Sequence, residues 1–487
     1  MSSLAQRSVS AVAWTLMRVM GQTGMGLAVG IVLARLLPVA DFGVMAMAMV
    51  FVLLAEQIAS LGLGAALIQR EELQGAHIET ALALSFVMAT LFSLAYWWLA
   101  PYAAIFFHEP RLTSVMQALA IGQWFSVTSM VPRDMLRRRL AFKRLFFIEL
   151  GSYGVGYGAV GIALALWGWG VWSLVVGTCS WFILGFVWLS YAAHLPRPRL
   201  HVQASRDLLG FGLGVSGKSL IWFIGNQAAT GIAGRFLDPY QVGLYWRAAQ
   251  LANLPSQKIA LTFSQAMFPI YARLQKDTQQ MEQAYLRTVS AVGFLALPLL
   301  AGAAAAPEWV ITGLYGEKWR EAAPVFSYLC LAAMLGSGVT HLSGAVIEAL
   351  GRVQSEVWRQ AVWATILVAG YLLAAMHYHS IVLMAGVTFL GSLWLYVSLG
   401  TLCLWLLHST WYRYLEAQWG GVCLALGVAV AAWGTGHWLE GVSREAGLGI
   451  IVAVCGAVYL IGFVGLSDRY TFGAKGWVLE WLGRRTG

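Results

Sequence analysis

Apolar runs long enough to cross a bilayer recur along almost the whole chain, separated by short polar breaks. A helix needs about 20 predominantly apolar residues to span the hydrocarbon. Windows of that length predict fourteen helices along this chain. Six are expected near 11–33, 43–64, 78–100, 113–132, 145–166 and 171–193, and six more near 208–233, 243–271, 285–306, 324–347, 358–377 and 381–407. A last pair falls near 418–438 and 446–466. The polar, Pro-containing stretch 194–207 reads as the linker between the two sets of six. The expected fold class is all-α, a polytopic membrane protein with an N-terminal lobe over 1–200, a C-terminal lobe over 201–410, and two further helices with a tail over 411–487. The run after Arg7 is long, contains Arg18 and Gln22, and has no small-residue cleavage site, so it is expected to stay as the first helix.

Composition narrows the class further. Hydrophobic residues are 59% of the 487 and charged residues 11%, whereas a soluble domain carries roughly 25% charged residues. Almost nothing is left over for a soluble domain. The 23 Trp suit a membrane-interface belt, as in WGWGVW at 167–172. Five cysteines, Cys179, Cys330, Cys403, Cys423 and Cys455, fall singly in apolar segments without metal or redox spacing and read as small packing residues.

Charge sets the expected orientation. Of the 31 Lys and Arg, 21 fall on the N-terminal side of the fourteen-helix arrangement and 6 on the other, leaving Arg18, Lys218, Arg247 and Lys258 inside apolar windows. Short loops rich in Lys and Arg stay in the cytoplasm. Both termini are therefore expected there. The net charge of +9 is then mainly a topological signal, and the arginine run 137–139 does not call for a nucleic acid partner.

An internal repeat supports two lobes. ARLLPVADFGVM from Ala34 and GRFLDPYQVGLY from Gly234 share Arg35/Arg235, Leu37/Leu237 and Gly43/Gly243 at a constant offset of 200. With six helices per lobe the repeats are parallel, an arrangement in which transporters place the substrate site between the halves.

Candidate chemistry lies in the polar residues inside the apolar windows. GLGVSGKS at 212–219 matches the phosphate loop GxxxxGK followed by Ser or Thr, yet it sits in an apolar window with no α/β domain around it, so the match reads as a decoy. Gly156, Gly158 and Gly161 match GxGxxG and read as small residues that let helices approach. His108, His341, His377 and His379 are scattered, and no catalytic or metal-binding constellation emerges, so neither an enzyme nor a cofactor is expected. Glu56, beside Gln57 and Ser60 in the second helix, needs a partner or an ion. It reads either as paired with Arg18 across the first hairpin or as an ion-coupling site. On the eighth helix Arg247, Gln250 and Lys258 recur at i, i+3 and i+11, on the first Arg18 and Gln22 stack at i, i+4, and on the seventh Lys218 and Asn226 at i, i+8. If these faces converge they make a cationic lumen suited to phosphate groups. The alternative is that the side chains snorkel or pair structurally, most of all Lys258.

LYWRAAQLANLPSQKIA and FPIYARLQKD within 234–277, with ARLLPVADFG, LGLGAALIQR and YGEKW elsewhere, resemble the Wzx-type polysaccharide transporters of the multidrug/oligosaccharidyl-lipid/polysaccharide (MOP) superfamily. The resemblance covers nearly the whole chain. It implies a V-shaped, two-lobed flippase that moves undecaprenyl-diphosphate-linked oligosaccharide repeat units across the cytoplasmic membrane by alternating access. Such a protein serves exopolysaccharide, O-antigen or capsule (lipopolysaccharide) biosynthesis and works beside polymerase and export machinery. Related lipid II flippases use cavity arginines on the first, second and eighth helices. Arg18 and Arg247 fit the first and eighth, while the second carries Glu56. A cation-coupled multidrug antiporter of the same superfamily is the alternative, and would favour carboxylates over this cationic set. A membrane glycosyltransferase or polymerase would need catalytic carboxylates or a large extramembrane loop.

Overall fold

The computed structural model describes residues 2–59, 75–201, 205, 216–336, 340–439 and 441–465, except the side chains of 2–13, 15, 16, 59 and 216–220. Among the described residues the elements are helical and no strand occurs. In lipid a spanning segment must satisfy its own backbone groups, which helices do internally. The chain divides into two compact units, Met1–Gly243 and Leu244–Gly487. Ten helical stretches among the described residues are long and apolar enough to cross a membrane.

The first unit contains α1 (Ser2–Leu36), α2 (Val39–Ala59), α3 (Gly75–Phe107), α4 (Arg111–Thr128), α5 (Met130–Arg138), α6 (Phe142–Ser152), α7 (Gly161–Leu166), α8 (Val171–Ala193) and α9 (Ser216–Phe236). A π segment, Tyr153–Val160, joins α6 to α7. Its glycines permit close approach: a Cβ on Gly156 would fall 2.4 Å from the Trp181 amide nitrogen of α8. The helix α1 packs along the stretch from α6 to α7, whereas α2 packs on α4 and α9.

The repeat seen in the sequence recurs in the helix boundaries. α1 ends at Leu36 and α9 at Phe236, and the helices that follow begin at Val39 and Pro239. In both turns a backbone bond closes the last helical turn, from Leu37 N to Leu33 O at 2.9 Å and from Leu237 N to Ala233 O at 2.8 Å. The two glycines pack reciprocally. A Cβ on Gly43 would lie 1.8 Å from the Pro239 carbonyl oxygen, and one on Gly243 would lie 2.2 Å from the Val39 carbonyl oxygen. Only glycine permits this approach.

Next in the chain come α10 (Pro239–Pro255), α11 (Leu261–Arg273), α12 (Thr278–Ala305), α13 (Pro307–Tyr315), α14 (Ala323–Leu335), α15 (His341–Ala349), α16 (Val353–Met376), α17 (Ile381–Leu406), α18 (Trp411–Trp438) and α19 (Arg444–Gly465). Several starts carry the expected signals. Asp238 accepts from Gln241 N at 2.8 Å and Asp277 from Gln280 N at 2.9 Å, and Pro239 and Pro307 occupy first helical positions. Along α12 and α18 the backbones nearly touch, since a Cβ on Gly421 would fall 2.8 Å from the Gly293 carbonyl carbon.

Several expected spans differ in the structure. The window 243–271 is divided after Pro255, which lacks an N–H, by a π segment at Ser256–Ala260. The window 324–347 carries α14 and α15, with 337–339 outside the described residues. The window 113–132 corresponds mostly to α4, where Gln117, Gln123, Ser126 and Thr128 dilute the apolar run. Residues 208–215 of the seventh window lie outside the described residues.

Candidate functional site

In the first unit the polar residues of α1 converge on a carboxylate of α6. Arg18 Nη1 and Gln22 Nε2 each donate to Glu149 Oε2 at 2.9 Å, and Arg133 Nε lies 3.4 Å from Glu149 Oε1. Glu149 is buried, as is Asp134 of α5, which pairs with Arg137 at 3.2 Å. The i, i+4 stacking of Arg18 and Gln22 therefore delivers two donors to one oxygen, as helical geometry allows.

The expected pairing of Arg18 with Glu56 is corrected by this arrangement. Both residues sit in apolar windows of the first hairpin, but α1 turns its packing face to α6 rather than to α2. Glu56 instead accepts a hydrogen bond from the Ser126 hydroxyl of α4, the helix on which α2 packs. A neutral hydroxyl thus meets the carboxylate that was expected to face a guanidinium.

In the second unit Arg247 is buried on α10. Its Nη1 donates to Gln250 Oε1 at 2.7 Å, and its guanidinium carbon lies 5.1 Å from the centroid of the Tyr315 ring. Tyr315, itself buried, closes α13 just before Gly316, whose φ of 94° turns the chain. An amide oxygen and an aromatic face together fix the plane of the guanidinium. The i, i+3 spacing of Arg247 and Gln250 is realised. Lys258, exposed, lies beyond Pro255 in the π segment, whose wider turn shifts the helical phase by which Lys258 was expected on Arg247's face.

The remaining candidates lie apart from these contacts. Asn226 is exposed and donates to the Trp222 carbonyl of its own helix at 2.8 Å. Lys218 lies in α9, but its side chain is outside the described residues, as are residues 212–215 of the phosphate-loop match and the Ser219 side chain. Four of the nine histidines, His108, His194, His379 and His408, follow helix ends with φ between 45° and 55°. Among the described residues no group of three or more His, Cys, Asp or Glu could hold a metal ion.

Glu149, Arg133 and Tyr315 were not expected at these sites. Glu149 had a visible signal, a lone carboxylate inside an apolar window, the same signal that singled out Glu56. Arg133 looked like one of several loop cations, and nothing in sequence spacing joins Tyr315 to Arg247. A second unexpected pair lies in the second unit, where Arg413 Nη1 sits 2.6 Å from both oxygens of buried Glu282, and the Ser409 hydroxyl donates to the same carboxylate.

Over residues 32–324 the chain matches the family described as "Polysaccharide biosynthesis protein". It is 23% identical over 353 residues to the lipopolysaccharide biosynthesis protein WzxC of Escherichia coli (strain K12), covering 72% of each chain. It is 26% identical over 327 residues to the succinoglycan biosynthesis transport protein ExoT of Rhizobium meliloti (strain 1021), covering 66% of this chain and 65% of that one. Its fold is similar to that of the lipid II flippase MurJ in an inward closed conformation, with a TM-score of 0.69 at 10% identity, covering 93% of this chain and 98% of the other.

Proposed function

The chain belongs to the polysaccharide biosynthesis protein family, and on that premise we propose that it is a flippase that carries undecaprenyl-diphosphate-linked oligosaccharide repeat units across the bacterial inner membrane by alternating access. Relatives named for lipopolysaccharide biosynthesis and for succinoglycan transport support the substrate class, and the likeness to a lipid II flippase supports the fold such a task needs. Transport, not bond chemistry, is the activity.

The observation that carries the reading is Arg247. A cation in a membrane helix costs about 2.5–3.5 kcal/mol on insertion scales, and this one is buried with its plane fixed by Gln250 and Tyr315. A fixed guanidinium recognises phosphate by two parallel hydrogen bonds. In this reading Arg247 and Gln250 take the diphosphate, with Lys258 supplying further polar surface on the same unit, while the lipid tail stays in the bilayer. Glu56, which accepts from Ser126, is the candidate for ion coupling. The repeats beginning near residues 1 and 201 form two lobes, with 411–487 appended, and polymerase and export proteins take the delivered unit.

Deleting the gene should trap lipid-linked repeat units on the cytoplasmic face, detected by mass spectrometry with leaflet assignment. Intermediates distributed as in the parent strain would refute flipping. The orientation has its own check. Cysteines at Gln74, Lys276 and Arg485 should resist an impermeant periplasmic reagent, while those at Pro110, Glu317 and Ser443 should react. Labelling of Lys276 alongside Glu317 would reverse that assignment.

A further inference from the structure

A cavity of about 590 Å3 opens in the second unit between α13, the last turns of α18 and the start of α19. Its floor is Trp309, 9% exposed, whose Nε1 donates to the Gly436 carbonyl at 3.2 Å and whose ring has the Arg444 guanidinium carbon 4.5 Å from its centroid. Two glycines make the slot that holds this ring: a Cβ on Gly447 would fall 2.2 Å from Trp309 Cζ3, and one on Gly436 would fall 3.0 Å from Nε1. One wall is flat. Trp433 and His437, a turn apart on α18, stack with centroids 5.6 Å apart and planes 20° apart. Trp433 is 63% exposed and His437 is also exposed. Glu308, exposed in the first turn of α13, and Arg444 complete the lining.

We infer that this cavity is a saccharide-binding subsite, which holds the sugar portion of the lipid-linked substrate. The inference rests on the flippase reading above and adds to it a second place of contact. Pyranose rings present apolar C–H faces and hydroxyl edges that both donate and accept. The cavity answers both: the outer face of the stacked Trp433–His437 pair for the apolar side, the Glu308 carboxylate and the Arg444 guanidinium for the hydroxyls. An acyl chain would require apolar walls throughout, and a phosphate would meet Glu308 as well as Arg444. The volume falls within the range of about 300–1,000 Å3 typical of small-ligand sites. With the orientation proposed from loop charge, this end faces the side to which the sugar is delivered. The contact forms as the repeat unit leaves.

The test uses the full-length protein in lipid nanodiscs. The probe is the reducing oligosaccharide released by mild acid from the polyprenyl-diphosphate intermediates of the native strain, and undecaprenyl phosphate serves as a sugar-free control. Saturable oligosaccharide binding is expected, weakened about two- to tenfold in both Trp433→Ala and His437→Ala, the ratio that corresponds to loss of one stacked ring. Trp433→Phe should restore most of it, and undecaprenyl phosphate should bind all variants alike. Both side chains are exposed, so the replacements leave the packed interior intact. No oligosaccharide binding by the unaltered protein, or equal affinity in a Trp433→Ala/His437→Ala double variant, would overturn the subsite. Trapped repeat units in the deletion strain alongside that negative result would mean that the subsite alone has failed. Absence of trapped units would remove the flippase reading and the subsite with it.

Discussion

Two interior arginines, one in each unit, are held in different ways. Arg18 rests on a carboxylate, Glu149, which it shares with Gln22 and with Arg133. Arg247 is held by an amide oxygen and the face of a tyrosine. Glu149 and its donors form a structural unit in which each charge is the reason the others can be buried, so removing one leaves the rest costly. The Arg247 setting fixes orientation through a dipole and a ring, and a guanidinium held so keeps a geometry useful for an incoming anion. The same residue type in the same kind of helix thus serves cohesion in one unit and, in the proposed mechanism, recognition in the other.

That contrast can be broken most directly at Glu149. Glu149→Ala should lower the melting temperature of the purified protein more than any other change considered, since breaking a buried pair costs about 3–5 kcal/mol. The Arg18→Ala/Glu149→Ala double variant should be less destabilised than the sum of the single changes. Additive losses in this cycle would show that Arg18 does not depend on Glu149, and cohesion would no longer set the two arginines apart.

Arg247→Ala should abolish polymer export in a deletion host while membrane abundance stays near normal. Arg247→Lys, which keeps the charge but loses the planar fork, should retain part of it. Should Arg247→Ala instead deplete the protein as Glu149→Ala does, both arginines would be structural and the distinction would vanish.

A smaller effect sharpens the role of burial. Glu109 accepts from Arg111 Nε at 2.9 Å and Nη2 at 3.1 Å, and these hydrogen bonds hold its carboxyl below the ordinary value despite some burial. A depressed folded value means that the contribution is present above about pH 4.3, the ordinary glutamate value, and is lost as pH falls through the folded value. Melting temperature should therefore drop more for the unaltered protein than for Glu109→Gln between pH 5 and pH 3. The difference should be slight, because Arg111 is about half exposed and solvent screens the pair. A drop as large as that of Glu149→Ala would mean that ion pairing alone, without burial, explains the Arg18 cluster.

Periodicity explains which parts of this contrast were legible. Arg247 and Gln250 lie three residues apart on one helix, so their contact follows from helical geometry. So does the shared direction of Arg18 and Gln22. Their target does not follow, because it depends on which helix lies beside α1, and consecutive helices need not be neighbours: α1 lies along α6 and α7 while α2 lies along α4 and α9. Tyr315 reaches Arg247 across 68 positions of sequence for the same reason. The fold class was legible because apolar windows report length and burial directly, and the division of 243–271 had its warning in Pro255.

The glycine crossing at the head of α2 and α10 has a consequence for ancestry. Val39 faces Gly243 and Gly43 faces Pro239, so with the offset of 200 each position meets the counterpart of its own partner. That exchange of contacts is the signature of an isologous interface between identical subunits, here written twice into one polypeptide. Duplication and fusion of an ancestral half-length chain would leave such a seam, and would leave it with paired inheritance. Drift away from glycine in one copy is disallowed by the main chain of the other, so these two positions should resist divergence long after the surrounding repeats have lost their likeness.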